Sequence, residues 1–258
     1  MSNILNWSIN PPMAALFSNN ISQKTFSPQP GIIARYIKIL DIVDSVFCKT
    51  PDQDYKKMPN QDFGQKSFKI PFLSSDELIT VNGFRALKKQ VEWLCGRFAL
   101  KSLVKEIIRL DISFNDIQIS YQKKGAPFLT RYPDIPISLS HSGEYTAVAI
   151  SLNPHITLGI DIEKIGKIPD SFFMKTAFTQ KEILHMGTTA QEIYRHWTLK
   201  EAFLKYIKMG FNESLHMVEI IDNEILHQGK RQDLMSWSRS IDDQYMISIV
   251  ADSVQECV

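Results

Sequence analysis

The sequence is poor in the features that would assign it a compartment or a chemistry at a glance. Its three cysteines, Cys48, Cys95 and Cys257, form an odd set without CxxC spacing. That argues against a disulfide frame and against a zinc site, and for a reducing compartment. No apolar run approaches the ~20 residues a membrane helix needs, and the N-terminus lacks the basic start and apolar stretch of a secretory leader. A soluble, cytoplasmic protein with no membrane partner is expected. The formal net charge is only +1, so no global field draws the chain to nucleic acid, and any anion binding has to come from a local cluster. GxSxG, HExxH, Walker A and GxGxxG sequences are all missing, and His141, His155, His185 and His196 lack zinc spacing. Serine-hydrolase, zinc-protease, P-loop and dinucleotide-binding chemistries therefore find no support.

What is present is an ordinary globular balance, 44% hydrophobic and 22% charged over 258 residues, enough for one large domain or two small ones. Residues 1–30, rich in Asn, Ser and Pro, predict an irregular extension. Ile32 to Val43 is apolar and β-branched, which predicts a strand. Residues 49–69 have no periodicity and predict a long loop. Ser74-Ser-Asp-Glu77 has the form of a helix start, and a longer helix is expected over roughly 84–108, where Val91, Leu94, Cys95, Phe98 and Val104 mark a buried stripe. The basic residues on its other positions, Arg97 and Lys101 among them, read either as a solvated face or, at i and i+4, as a phosphate-binding pair.

Further on, Ile117 to Tyr121 predicts a short strand before the break at Gly125-Ala-Pro127, and 137–151 reads as a hairpin with His141 in its turn. Residues 157–162 predict a strand, 171–186 and 190–209 helices, and the tail a small antiparallel sheet. Helices and antiparallel strands in both halves give an α+β class with a boundary near Pro154. The expected segments are an extension over 1–30, an N-terminal lobe over 31–154 and a C-terminal lobe over 155–258.

Two stretches carry the chemistry. In Gly159-Ile-Asp-Ile-Glu163 the acids alternate with isoleucines, so a strand points both carboxylates to one face. In Trp197-Thr-Leu-Lys-Glu201-Ala-Phe-Leu-Lys205, Glu201 and Lys205 are neighbours on a helix. Taken singly, each reads equally as a solvated strand end or a surface ion pair. Brought together, they offer three carboxylates to a hard cation and an ammonium to an anion, a site suited to Mg²⁺ and a phosphate ester. His141, flanked by Ser140, Ser142 and Gly143, reads as an exposed turn residue or as a phosphate contact.

The succession Gly125-Ala-Pro127, Ile137-Ser-Leu-Ser-His141-Ser, Gly159-Ile-Asp-Ile-Glu163 and Trp197-Thr-Leu-Lys-Glu-Ala-Phe-Leu-Lys205 resembles the 4′-phosphopantetheinyl transferases. It is most similar to their long, single-chain, surfactin-synthetase-activating type. Glu92-Trp-Leu-Cys-Gly-Arg97-Phe-Ala-Leu-Lys101 resembles that family's N-terminal helix. The resemblance implies a pseudo-two-fold pair of similar α+β lobes, with the site in the cleft between them and a monomeric chain. It implies transfer of the phosphopantetheine arm of coenzyme A to a serine of an apo acyl or peptidyl carrier protein, with release of 3′,5′-ADP. By the same resemblance Asp161, Glu163 and Glu201 hold Mg²⁺, Lys205 contacts the diphosphate, and His141 and Ser140 contact coenzyme A. Lys101, with Arg97, falls where the family meets the nucleotide's 3′-phosphate. Glu201 is the expected general base and Glu182 a second candidate. Ala126 stands where the family usually has lysine, so that contact is lost or passes to Lys123 or Lys124. The residues alone leave two rivals: a metal-dependent hydrolase of a nucleotide diphosphate, and an inactive module that binds coenzyme A or a carrier.

Overall fold

The computed structural model describes residues 23–47, 70, 72–108 and 112–254. The loop expected over 49–69 and most of the N-terminal extension lie outside them. Two antiparallel sheets stand at the centre. In the first, the order is β1–β2–β6–β5, built from β1 (Gln23–Phe26), β2 (Ile32–Lys38), β5 (Ile137–Ser142) and β6 (Tyr145–Ser151). In the second, β7 (Leu158–Lys164), β12 (Tyr245–Asp252) and β11 (Leu234–Ile241) run in the order β11–β12–β7. The sheets share a core. Ile32 and Ala34 of β2, Ala147 and Ala149 of β6, Ile160 and Ile162 of β7, and Ile247 and Ile249 of β12 are buried in one cluster. Phe26 stacks on Trp237 at 4.8 Å, so part of the expected irregular extension is a strand that ties the two sheets together.

Each sheet carries a long helix on its other side. Helix α3 (Leu87–Ile108) buries Leu94, Phe98 and Leu103 in the cluster that holds Val148 and Ile150 of β6. Helix α6 (Ala190–Tyr206) buries Leu199, Ala202 and Phe203 against Val250 of β12 and Val218 and Ile220 of β8 (Val218–Ile221). The pairings within the sheets also correspond. β2 meets β6 from Ile32↔Ser151 to Lys38↔Tyr145, and β7 meets β12 from Leu158↔Ala251 to Lys164↔Tyr245.

Several expectations need correction. The apolar run from Ile32 does not continue as a strand to Val43; helix α1 (Ile39–Phe47) begins at Ile39, whose N–H donates to the Glu144 carbonyl. Ile39, Ile42 and Val43 are fully buried, a helical spacing that β-branching masked. Residues 171–186 hold two short helices, α4 (Ser171–Ala177) and α5 (Gln180–His185), because Phe178 is extended and Thr179 opens a new capping box with Glu182. The tail forms two sheets instead of one, since β8 pairs with β9 (Glu224–His227) and β9 with β10 (Lys230–Gln232), while β11 and β12 join β7. The remaining elements are α2 (Ser75–Asn82), β3 (Ile119–Tyr121) and β4 (Pro127–Leu129). Among the described residues no helix is long and apolar enough to cross a membrane.

Candidate active site

The site is assembled where β7, β5 and α6 meet. Alternation along β7 sends Ile160 and Ile162 into the shared core, leaving Gly159, Asp161 and Glu163 on the face toward α6. Gly159 makes that approach possible: a Cβ there would lie 2.0 Å from the Ala202 carbonyl oxygen and 2.6 Å from the Tyr206 nitrogen. Both obstacles are helix backbone, so α6 would have to move, and with it Glu201 and Lys205. Gly159→Ala is expected to cost about 1–3 kcal/mol of stability or more, measured by denaturant unfolding, and to lower activity in the fraction that still folds.

Lys205 Nζ reaches from α6 to Asp161 Oδ1 at 2.7 Å and to the Ile160 carbonyl at 3.1 Å. Ser140 donates to the same Asp161 oxygen at 2.7 Å, and Ser142 donates to Glu163 Oε2 at 2.7 Å. This leaves two buried carboxylate oxygens, Asp161 Oδ2 and Glu201 Oε1, without a hydrogen-bond partner. Buried anionic oxygens are rarely left so. Burial, then Asp161, and to a smaller degree Glu163 push the Glu201 carboxyl up to about 7, against the pull of Lys205. Burial and the neighbouring Asp161 also raise Glu163. The three acids thus feel one another across a site short of positive charge.

Hard oxygen donors, two of them orphaned, fit a hard divalent cation by their chemistry. Among the described residues, however, no three His, Cys, Asp or Glu side chains stand at metal-ligating spacing, and the Lys205 ammonium occupies the side of Asp161 nearest to it.

His141 lies in strand β5 opposite Thr146, and the turn it was expected in is the two-residue Gly143–Glu144. Its ring is pressed by cations. Burial, then Lys89, Lys205 and Lys88 lower it to about 4, so at neutral pH it is an uncharged imidazole. Lys89 Nζ sits 3.5 Å from its Nε2. Lys89, unassigned by motif, therefore joins His141 at the site; only the fold brings α3 to β5. A cavity of about 220 Å³ runs from Glu201, Lys205 and Lys208 past Ser138 and Leu139 to Gly125-Ala126-Pro127, Lys124 and Tyr121. Ala126 lines this wall, while Lys124 rests against Met209. A second cavity of about 270 Å³ is lined by His141, Lys89, Trp93, Arg97 and Tyr121, which the two share.

Lys101 does not reach either cavity. It is fully buried, donating to the Phe72 carbonyl at 2.7 Å and pairing with Glu77 at 2.6 Å. Arg97, also buried, stacks on Trp93 at 4.4 Å and Tyr121 at 5.1 Å and donates to the Tyr121 hydroxyl. On α3 the basic residues thus divide: Arg97 and Lys101 are buried, and Lys101 is closed to a ligand, while Lys88 and Lys89 stay exposed. Glu182, the second base candidate, is likewise committed. Fully buried, it accepts from Thr179 and Ile220 backbone N–H groups and pairs with Lys200 at 2.7 Å. Both of its oxygens are thus engaged, Oε2 by Thr179 and Lys200 and Oε1 by Ile220.

Two family models match the chain consecutively, one described as "4'-phosphopantetheinyl transferase, N-terminal" over residues 62–153 and one as "4'-phosphopantetheinyl transferase superfamily" over 157–250. The chain belongs to the 4′-phosphopantetheinyl transferase superfamily. Its relatives carry the same description. The L-aminoadipate-semialdehyde dehydrogenase-phosphopantetheinyl transferase of Rattus norvegicus is 35% identical over 143 residues, 49% of this chain and 45% of that protein. The phosphopantetheinyl transferase of a Thraustochytrium species is 27% identical over 207 residues, 70% of each. The 4'-phosphopantetheinyl transferase Sfp of Bacillus subtilis is 32% identical over 123 residues, 46% of this chain and 53% of that one. The matched region spans about half the length of the first of these.

Proposed function

We propose that the chain transfers the 4′-phosphopantetheine arm of coenzyme A to a serine of an apo acyl or peptidyl carrier protein and releases 3′,5′-ADP. Membership of the superfamily supports the reaction class, and one observation carries its placement here: Asp161 and Glu201 each present a buried, unpartnered carboxylate oxygen beside the Lys205 ammonium. In this reading Asp161, Glu163 and Glu201 hold Mg²⁺, which when bound would neutralise the diphosphate as charge moves onto the leaving ADP oxygen. Lys205, whose Nζ lies 2.7 Å from Asp161 Oδ1, would contact the diphosphate. Neutral His141 donates a ring N–H to a coenzyme A phosphate, with Ser140 beside it. Glu201, whose Oε1 is buried and without a partner, accepts the proton of the carrier serine. The nucleotide lies along the cavity walled by Gly125-Ala126-Pro127 and Lys124, with Arg97 as a more distant wall.

The same reading takes the chain as two lobes, 31–154 and 155–258, after an extension over 1–30, related by a pseudo-two-fold axis with the site in their cleft. The matching registers of β2–β6 and β7–β12 support it. So do Lys101 and Lys200, each of which pairs with the capping glutamate of the preceding helix, Glu77 and Glu182. By that correspondence the first lobe's counterpart of Asp161 and Lys205 is Arg35 and Glu106, paired at 2.7 Å with their charges exchanged. A buried Arg in place of an Asp repels a cation, so one site per chain is expected, in a cytoplasmic monomer.

Acceptor dependence tests the reaction. 3′,5′-ADP should appear from coenzyme A and Mg²⁺ only when apo carrier is present; release without carrier would favour a hydrolase. Ala126→Lys, restoring the family's usual residue on the cavity wall, is expected to lower the KM for coenzyme A several-fold at unchanged kcat.

A further inference from the structure

The edge strands β5 and β7 belong to different sheets, and serine side chains join them. Ser138, Ser140 and Ser142 alternate along β5 and so share one face. The Ser138 hydroxyl accepts from the Ile160 N–H at 3.0 Å, Ser140 donates to Asp161 Oδ1 at 2.7 Å, and Ser142 donates to Glu163 Oε2 at 2.7 Å while accepting from the Lys164 N–H at 3.1 Å. The third contact differs in kind from the first. Ser138 joins only backbone, whereas Ser142 clamps a carboxylate to the backbone of the residue that follows it.

Glu163 needs such a clamp more than its neighbours do. Asp161 is short, buried and held by Lys205 as well as Ser140. Glu163 lies half-buried near the end of its strand, before exposed Lys164, on a longer side chain with more rotamer freedom to lose. The Ser142 contact is made to Oε2. A neutral hydroxyl does this without adding charge beside the site.

We infer that Ser142 is a positioning residue: it holds the Glu163 carboxylate of β7 in the orientation in which it meets a divalent cation. This rests on the assignment of Asp161, Glu163 and Glu201 as the cation's ligands. Partners that orient ligating groups typically contribute 10–100-fold to metal affinity, and a loss of about that size is expected for Ser142→Ala.

The experiment is calorimetric titration of Mg²⁺ into the full chain, with and without coenzyme A, for wild type, Ser142→Ala, Ser142→Thr and Ser138→Ala, each with a thermal melt. Ser142→Ala should bind Mg²⁺ roughly 10–100-fold more weakly, Ser142→Thr should restore binding through its hydroxyl, and Ser138→Ala should lower the melting temperature without changing Mg²⁺ affinity. In turnover assays Ser142→Ala should need correspondingly more Mg²⁺ and keep its KM for coenzyme A. Wild-type Mg²⁺ affinity in folded Ser142→Ala would overturn the inference. An equal loss in Ser138→Ala would also overturn it, since the seam as a whole would then be responsible. Failure of the wild type to bind Mg²⁺ at all would sink the ligand assignment and this inference with it.

Discussion

Replacing Glu201 by Gln is expected to lower turnover by about 10²–10⁴-fold, the range for a lost general acid–base group, while the protein stays folded. Gln keeps the volume of the buried side chain, so the contacts of Leu199, Ala202 and Phe203 with the sheet are preserved. What it removes is a proton acceptor and one charge of a three-acid cluster. Glu201 is buried on the sheet-facing side of α6, its Oε1 has no partner, and its acidity is shifted to about 7 mainly by burial. A surface carboxylate idling in an ion pair with Lys205 would show none of these. The measurement is initial rate under saturating coenzyme A, carrier and Mg²⁺, paired with a melting curve. A folded variant turning over at the wild-type rate would remove Glu201 from the chemistry.

The second large effect is structural. Lys200 is fully buried, with Nζ bonded to Glu182 at 2.7 Å, the Ala177 carbonyl at 2.8 Å and the Leu215 carbonyl at 3.1 Å. It joins α6 to the start of α5 and to the turn before β8. Lys200→Met leaves the Glu182 carboxylate in a closed interior, where a stranded charge costs about 3–5 kcal/mol. For a chain near this size that corresponds to roughly 6–20 °C in melting temperature. The double variant Glu182→Gln, Lys200→Met should recover much of the loss, because the stranded charge is gone. Calorimetric melts of the two singles and the double measure this. Equal losses in Lys200→Met and the double variant would show that the cost lies in packing and not in the unpaired carboxylate.

Which parts of the site were legible follows from the range of the interactions involved. Asp161 and Glu163 could be placed on one face because a strand has period two, and Ile160 and Ile162 said which face was buried. Glu201 and Lys205 were legible as helix neighbours, though not as buried, because a Glu and a Lys at i and i+4 look the same on a solvated face. The burial of Lys101 was hidden for that reason. Its partner Glu77 sits on another helix, and nothing local distinguishes an internal ion pair from a surface cation. Glu182 was visible as a helix-start acid, but its bond to Lys200 depends on how α5 meets α6. The boundary at Ile39 was hidden because consecutive isoleucines satisfy a strand and a buried helix alike, and the deciding bond to the Glu144 carbonyl comes from a distant hairpin. The three serines of β5 alternated in plain sight; their meaning needed β7 alongside.

The most direct test is the intact mass of an apo carrier protein incubated with this chain, coenzyme A and Mg²⁺. The account predicts the increment of one phosphopantetheine arm on the carrier, absent when its acceptor serine is replaced by Ala and absent with Glu201→Gln over the same time. A carrier of unchanged mass under conditions where an active transferase modifies it would contradict the account.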